Sequence, residues 1–143
     1  MRKVKQQLKI LVFDDDEQIP ILLKKLFENQ GHIVEAYSDP THCPLYKSHK
    51  DKCDSDLPCF DALISDVKMP HVSGIELITR QKKCGCKMHD QNRALMSSEH
   101  YLDSASPQED LGCRFFRKPF NVSEVIEWLE ECADRSGAHN DVD

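Results

Sequence analysis

Acidic, hydroxyl and ammonium side chains follow short apolar segments at four places in this 143-residue chain. Asp14 and Asp15 come directly after LKILVF, and Asp66 ends the segment LISD. Ser97 follows Ala-Leu-Met, and Lys118 follows Arg-Phe-Phe-Arg. Carboxylates bind hard divalent cations such as Mg²⁺, and a carboxylate attacks a phosphoryl group once cations neutralise the transferred oxygens. These residue types therefore predict metal-dependent phosphoryl chemistry, provided that the fold brings them together.

Alternating strands and helices would position these residues. Apolar patterning predicts five strands, over 8–13, 32–37, 60–66, 94–96 and 114–117. It also predicts helices over 17–30, 73–81 and 121–134, a short helix after residue 41, and another that begins at a Ser-x-x-Glu capping box over 106–109. Such alternation implies a parallel sheet with helices on both faces, a doubly wound three-layer α/β/α sandwich. The carboxyl ends of parallel strands share one edge, so the four chemical positions converge there.

Each position also has a purely structural explanation. Asp66 would cap the turn that follows it, and the acids at 14–16 would cap the first helix. Ser97 and Lys118 would be ordinary turn and loop residues. Four independent coincidences at four strand ends explain the set poorly, so we favour the chemical interpretation.

Length and composition indicate a single globular domain. The chain is 39% hydrophobic and 31% charged, and its apolar runs are too short to span a membrane. A basic, polar start without a signal peptide predicts a cytoplasmic protein. The net charge of −6 argues against direct DNA binding and indicates protein partners. We predict one domain over residues 1–134, with no output domain, followed by a flexible polar tail over 135–143.

The segments ILVFDDDE, LISDVKMPHVSGIEL, ALMSSE and FFRKPF, in this order, resemble the response-regulator receiver domains of two-component signalling. The resemblance runs over nearly the whole chain. It implies the flavodoxin-like receiver fold, with five parallel strands in the order 2-1-3-4-5. It also implies a phosphorelay function, in which the domain takes a phosphoryl group from a sensor histidine kinase or a phosphotransfer protein and signals by protein–protein contact.

The resemblance assigns a role to each acid of the site. It makes Asp66 the phospho-acceptor. It makes Asp15, Asp66 and the backbone carbonyl of Lys68 the ligands of Mg²⁺ or Mn²⁺, and Asp14 would hold a metal-bound water. The implied chemistry is self-catalysed phosphoryl transfer with slow autodephosphorylation at most, so we do not expect a turnover enzyme.

Three further residues complete the implied site. Ser97 matches the hydroxyl that bonds the phosphoryl group, Lys118 the lysine that pairs with it, and Phe115 the aromatic switch residue. In the family the bond between Lys118 and Pro119 is commonly cis. The resemblance also implies a homodimer surface on the fourth helix, the fifth strand and the fifth helix, although the fourth helix predicted here is short.

Two features depart from the family pattern. Ser98 stands where the family usually has a smaller residue, so its hydroxymethyl group is expected to slow phosphoryl transfer or hydrolysis. Lys68 and Glu99 flank the site and would pair across its mouth. An aspartyl-phosphate hydrolase is disfavoured because it would need a second acid where Lys68 stands. A flavin-binding protein is disfavoured because three acids occupy the place of its phosphate-binding loop.

Seven cysteines are a high count for this length, and an odd number without a signal peptide does not suggest a disulfide framework. Cys53 and Cys59 lie in a predicted loop over about 47–59. Cys84 and Cys86 lie in another over about 82–92. In the predicted topology both loops lie at the sheet edge opposite the acids.

Four thiolates at one edge suit Zn²⁺ or an iron–sulfur cluster, and His49 or His89 would replace one of them. Free thiols and a redox-switched disulfide fit the same pattern, so all three states stay open. The alternative function is therefore a metal-binding or redox-sensing interaction module on a receiver fold, in which Asp66 is not phosphorylated.

Overall fold

The computed structural model describes residues 7–43, 60–98 and 112–140, with side chains as far as residue 135. Within these ranges there are five strands and three α-helices. The strands are β1 (Lys9–Phe13), β2 (Ile33–Tyr37), β3 (Ala62–Asp66), β4 (Arg93–Ser97) and β5 (Arg114–Arg117). The helices are α1 (Gln18–Asn29), α2 (Gly74–Lys83) and α3 (Val122–Asn140), and 3₁₀ turns lie at Pro40–His42 and Asp90–Asn92. No helix in these ranges is long and apolar enough to cross a membrane.

The strands form one sheet in the order β2-β1-β3-β4-β5, and every pair of neighbours is parallel. This confirms the predicted α/β fold and its strand order. The register aligns Asp66 with Met96 and Ser97 with Arg117. The residues at the carboxyl ends of the strands therefore meet along one edge.

Strand side chains alternate between the two faces of the sheet, and each face has its own apolar cluster. One cluster joins strand residues such as Val12 to Phe27 of α1 and Trp128 of α3. The other joins residues such as Leu63 to Leu77 of α2. Helices thus cover both faces, which gives the predicted three layers.

Side-chain caps fix where two of the helices begin. At α2, the hydroxyl of Ser73 accepts a hydrogen bond from the backbone N–H of Glu76, and the Glu76 carboxylate accepts one from the backbone N–H of Ser73. This reciprocal arrangement is a capping box. At α3, the side-chain oxygen of Asn121 accepts from the backbone N–H of Ser123 at 2.8 Å. Both helices begin close to the predicted residues for this reason.

α3 continues past Asp134, where the sequence predicts that it ends. Arg135 donates from Nε to the side-chain oxygen of Asn92 at 2.6 Å and from its guanidinium to the carbonyl of Gln91 at 3.1 Å. These bonds fasten the helix to the turn before β4, so it reaches Asn140. The predicted end of the helix at Asp134 therefore has to be corrected, while the flexibility of the tail stays a prediction.

Several predictions fall outside the described residues. They concern the helix from Ser106, the loop over 47–59 with His49, Cys53 and Cys59, and the pairing partner Glu99. The loop predicted over 82–92 is described. It is shorter than predicted, because α2 extends to Lys83 and the 3₁₀ turn Asp90–Asn92 precedes β4.

Candidate functional site

Asp14 follows β1, and its side chain is wholly buried. One carboxylate oxygen accepts a hydrogen bond from Lys118 Nζ at 2.8 Å, and the other accepts one from the backbone N–H of Asp16 at 2.9 Å. The backbone N–H of Asp14 donates to the carbonyl of Tyr37, at the end of β2. A buried carboxylate needs such partners because an unpaired charge inside a protein is costly. Asp14 is thus held in place from several sides.

The three consecutive acids after β1 have different surroundings. Asp14 is buried, whereas Asp15 and Asp16 are exposed. The carboxylate of Asp16 accepts a hydrogen bond from the backbone N–H of Gln18 at 2.8 Å, at the start of α1. Asp16 thus binds the first residue of α1 from the position before the N-cap Glu17, which is a structural role and leaves Asp14 and Asp15 for the site.

Asp66 ends β3 beside these two acids. One carboxylate oxygen from each of Asp14, Asp15 and Asp66 lies within 4.8 Å of the others. Burial, followed by the negative charge of Asp14, raises the pKa of Asp66 to about 6, while Lys118 opposes the rise and Asp15 adds to it. The raised pKa belongs to a carboxyl that is partly removed from water and lies beside another acid.

Lys118 is the cation of this site. Its Nζ lies 2.8 Å from a carboxylate oxygen of Asp14 and 3.4 Å from one of Asp66. Burial alone would lower the pKa of the Lys118 ammonium, but the hydrogen bond and charge of Asp14, together with Asp66, outweigh it and raise the pKa. The backbone N–H of Lys118 donates to the carbonyl of Ser97, and the peptide bond to Pro119 is cis, as the resemblance implied. One ammonium between carboxylates from two strands ties β1, β3 and β5 together electrostatically.

These residues fit a divalent cation. Three carboxylates offer hard oxygen donors at close range, and their excess negative charge favours an added cation. In the ranges that the structure describes, no other group of three or more His, Cys, Asp or Glu side chains lies close enough to hold an ion. Beside the acids is an open hollow, and Lys68 contributes to its wall. Its lining residues are Asp15, Val67, Lys68, Met69, Pro70, Ser73 and Ile75.

Ser97 lies on β4, the neighbour of β3, and Phe115 lies on β5, the neighbour of β4. Ser97 is the buried last residue of β4, and its carbonyl receives the Lys118 N–H. Phe115 of β5 is partly buried against the cluster that includes α2. Ser98 is exposed. The structure therefore brings Ser97 to the same edge as Asp66 and Lys118, while its phosphoryl-binding role and the switch role of Phe115 stay predictions.

Sequence reasoning missed the support behind Asp66. The hydroxyl of Ser65 donates to the backbone carbonyl of Asp66 at 2.9 Å. Gly74 approaches the same oxygen so closely that a Cβ at this position would lie 2.4 Å from it. The N–H of Gly74 also donates to the carbonyl of Val67 at 2.9 Å. The sequence motif contains this glycine, but only the structure shows why it is needed. The start of α2 approaches the end of β3 too closely for a side chain.

A second missed feature is the contact between His71 and Asp39. Nδ1 of His71, in the loop between β3 and α2, lies 2.6 Å from a carboxylate oxygen of Asp39, which follows β2. The other oxygen of Asp39 accepts from the backbone N–H and the hydroxyl of Thr41 at 2.9 and 2.8 Å. The hydrogen bond from the Thr41 amide lowers the pKa of Asp39 to about 2. Burial opposes this shift, and His71 adds to it. The sequence indicated a turn at this aspartate but not its partner.

The described cysteines do not form a metal site. None of the five is in a disulfide, and they are Cys43, Cys84, Cys86, Cys113 and Cys132. Burial raises the pKa of Cys113 to about 11 and that of Cys132 to about 12, and neither thiol is among the four cysteines of the predicted zinc site. The predicted zinc site thus has no support among the residues that the structure describes, and its members Cys53 and Cys59 lie outside them.

A sequence model of the response regulator receiver domain matches residues 10–130 of this chain. The DNA-binding transcriptional regulator NtrC of Azospirillum brasilense is 30% identical over 122 residues, which cover 85% of this chain and 23% of NtrC. The sporulation initiation phosphotransferase F of Bacillus subtilis is 28% identical over 120 residues, which cover 82% of this chain and 86% of that protein. The chain therefore spans about a quarter of the first relative and most of the second.

A solved receiver-domain structure has a similar fold. The structure of the Francisella response regulator 1452 receiver domain superposes with a TM-score of 0.73 at 21% sequence identity. The superposition covers 91% of this chain and 99% of that one. The strand order and the overall arrangement of the helices are thus shared over nearly the whole length of a compact domain.

Proposed function

Because this chain belongs to the response regulator receiver domain family, we propose that it accepts a phosphoryl group on Asp66, with Mg²⁺ or Mn²⁺ held by the neighbouring acids. One observation carries the proposal: oxygens of Asp14, Asp15 and Asp66 lie within 4.8 Å of one another, and Lys118 reaches two of these carboxylates. The donor would be a phosphohistidine on a sensor histidine kinase or a phosphotransfer protein, and the output would be contact with a downstream protein.

In the proposed reaction, a carboxylate oxygen of Asp66 attacks the phosphorus atom. The P–N bond of the donor's phosphohistidine breaks, and its electron pair stays on the imidazole nitrogen, which takes up a proton. Lys118, 3.4 Å from Asp66, would stabilise the negative charge on the transferred oxygens. A bound Mg²⁺ supplies the further positive charge that three carboxylates and a phosphoryl group require. Asp14 would hold the ammonium of Lys118 in position throughout, because it is buried and bonded through both oxygens.

Phosphorylation would change the contacts at this edge of the sheet. A phosphoryl group adds a charge of about −1.5 to −2 and three strong acceptor oxygens. Ser97 and Lys118 are the polar side chains at the neighbouring strand ends, so they are the expected new partners. A bond from Ser97 would draw the segment after β4 toward Asp66. The position of Phe115 on the neighbouring strand β5 would then change. This would alter the surface to which a partner or a second copy binds.

The proposal is tested by intact-mass measurement after incubation with acetyl phosphate and Mg²⁺. We expect one added phosphoryl group on the wild type, none on Asp66→Asn, and none on the wild type in EDTA. Glu127→Gln, an exposed acid of α3, is the matched control and should be labelled like the wild type. No adduct on the wild type, under conditions that label a known receiver domain, would contradict the proposal and favour the interaction-module alternative.

A further inference from the structure

We propose that His71 is a positioning residue for the cation site: its contact with Asp39 holds the loop between β3 and α2 in the conformation that presents Asp66 and Lys68 to Mg²⁺. The inference rests on the proposed function, because it concerns the same cation. It goes beyond that function by giving a role to two residues outside the acidic site.

His71 has a backbone conformation that L-residues rarely adopt. Its φ is +71°, and no other non-glycine residue in 7–43, 60–98 and 112–140 has a positive φ. The N–H of Val72 donates to the carbonyl of Pro70 at 2.7 Å, so His71 is the central residue of a γ-turn. A γ-turn with positive φ at its centre is rare and strained. Such a conformation persists where contacts around it impose it.

Asp39 supplies such a contact from a fixed position. Its side chain is 10% exposed, whereas that of His71 is 69% exposed. Thr41 binds one carboxylate oxygen of Asp39 through its amide and its hydroxyl, which orients the other oxygen toward His71. A carboxylate only accepts hydrogen bonds, so Nδ1 of His71 carries the proton and donates. The contact is therefore a charge-assisted hydrogen bond in either protonation state of the imidazole.

The loop that His71 restrains forms part of the proposed cation site. At its start, Val67 donates from its N–H to the carbonyl of Met96, and at its end Gly74 donates to the carbonyl of Val67. Lys68 lies between these points, on the wall of the hollow beside the acids. The contact of His71 with Asp39 ties the intervening residues to the loop after β2. A loop that leaves its binding conformation part of the time binds its ligand more weakly in proportion, so loss of this tie should weaken cation binding.

Two variants remove the contact in different ways. His71→Gly removes the imidazole and also the backbone strain of the turn, since glycine adopts a positive φ readily. Asp39→Asn leaves an oxygen for Thr41, removes the charge, and does not alter the backbone of the β3–α2 loop. His42→Ala is the matched control, because His42 is an exposed histidine of the 3₁₀ turn after β2. Urea unfolding in EDTA checks that each variant is folded.

The measurement is the Mg²⁺ dissociation constant by calorimetry, together with the hydrogen-exchange rate of the Val72 amide in the metal-free protein. We expect His71→Gly and Asp39→Asn each to raise the dissociation constant about threefold to tenfold and to speed exchange at Val72, with His42→Ala unchanged. The double variant should have a Mg²⁺ dissociation constant no higher than that of the weaker-binding single variant. The reason is that both changes remove the same contact.

The outcomes separate this inference from the function on which it rests. If the wild type binds Mg²⁺ and both variants bind it equally well, or if their effects simply add, the positioning role is wrong and the proposed function stands. If the wild type does not bind Mg²⁺, the proposed function fails and the positioning role fails with it. If His71→Gly does not fold, Asp39→Asn decides the matter.

Discussion

Asp66→Asn should make the metal-free protein more stable at neutral pH. Asp66 is buried beside the charge of Asp14, and its pKa is raised from 3.8 to about 6 in the folded protein. A carboxyl group with a raised pKa destabilises the folded state wherever it is ionised. Asparagine has nearly the same shape without the charge, so the substitution removes this cost. A residue at the centre of the proposed function is thus expected to reduce the stability of the fold.

The shift in the pKa of Asp66 sets both the size of the stability gain and the pH range in which it occurs. At about 1.36 kcal/mol per unit, a shift of roughly two units corresponds to roughly 3 kcal/mol. Water screens part of this at a side chain that is 13% exposed, so we expect a gain of about 2 kcal/mol in the free energy of unfolding. Below pH 3.8 the carboxyl is protonated in both states, and the variant gains nothing. Between pH 3.8 and 6 the folded protein retains a proton that the unfolded chain loses, so wild-type stability falls relative to the variant as pH rises.

Urea unfolding in EDTA, followed by the fluorescence of Trp128, measures the effect. Trp128 is the one tryptophan of the chain and is buried in the core. The free energy of unfolding of Asp66→Asn should differ little from that of the wild type near pH 4 and should exceed it by the expected gain near pH 7.5. Glu127→Gln should show no such pH dependence. Saturating Mg²⁺ should reverse the order, since a ligand at about 100 times its dissociation constant adds about 2.7 kcal/mol to the wild type. If the variant is no more stable than the wild type near pH 7.5 without metal, the ionised carboxylate of Asp66 does not destabilise the fold.

Three other changes test the contacts around the site. Lys118→Met should lower the free energy of unfolding by about 3 to 5 kcal/mol because it leaves the buried carboxylate of Asp14 without its cation, and adding Asp14→Asn should recover part of the loss in urea titrations. His32→Ala should cost about 1 to 3 kcal/mol, because Nδ1 of His32 accepts the buried N–H of Leu8 at 3.0 Å; an unchanged melting temperature would contradict this. Gly74→Ala should cost about 1 to 3 kcal/mol, because its Cβ would lie 2.4 Å from a backbone oxygen at the end of β3; an unshifted urea midpoint would show that α2 moves away freely.

The sheet and the members of the site were predictable because their signals are local. Runs such as LKILVF and LISD have the length and the apolar content of buried strands, and acids directly after them must lie at the strand ends. Parallel topology then brings Asp14, Asp15 and Asp66 together without any knowledge of side-chain packing. The capping box at Ser73 and Glu76 has the same local Ser-x-x-Glu spacing, although a capping box was predicted only over 106–109.

The features that sequence reasoning missed depend on contacts between distant segments. His71 and Asp39 are 32 positions apart, and the partner of Arg135 on the turn before β4 is 43 positions away. Neither pair has a pattern that could be read along the chain, because each contact arises from how two loops or a loop and a helix pack. The different roles of Asp14 and Asp16 have the same origin, since adjacent identical residues acquire different surroundings only when the sheet forms.

The bond between Lys118 and Asp14 joins residues 104 positions apart. During synthesis, the acids of the site therefore leave the ribosome long before the lysine that partly neutralises them. A nascent or truncated chain that ends before β5 would carry the carboxylates of Asp14 and Asp66 without their ammonium partner. Because Lys118 follows β5, its bond to Asp14 requires that β5 has joined the sheet. Competence to accept a phosphoryl group would then be a property of the finished domain alone, which would keep incompletely made chains out of the signalling pathway.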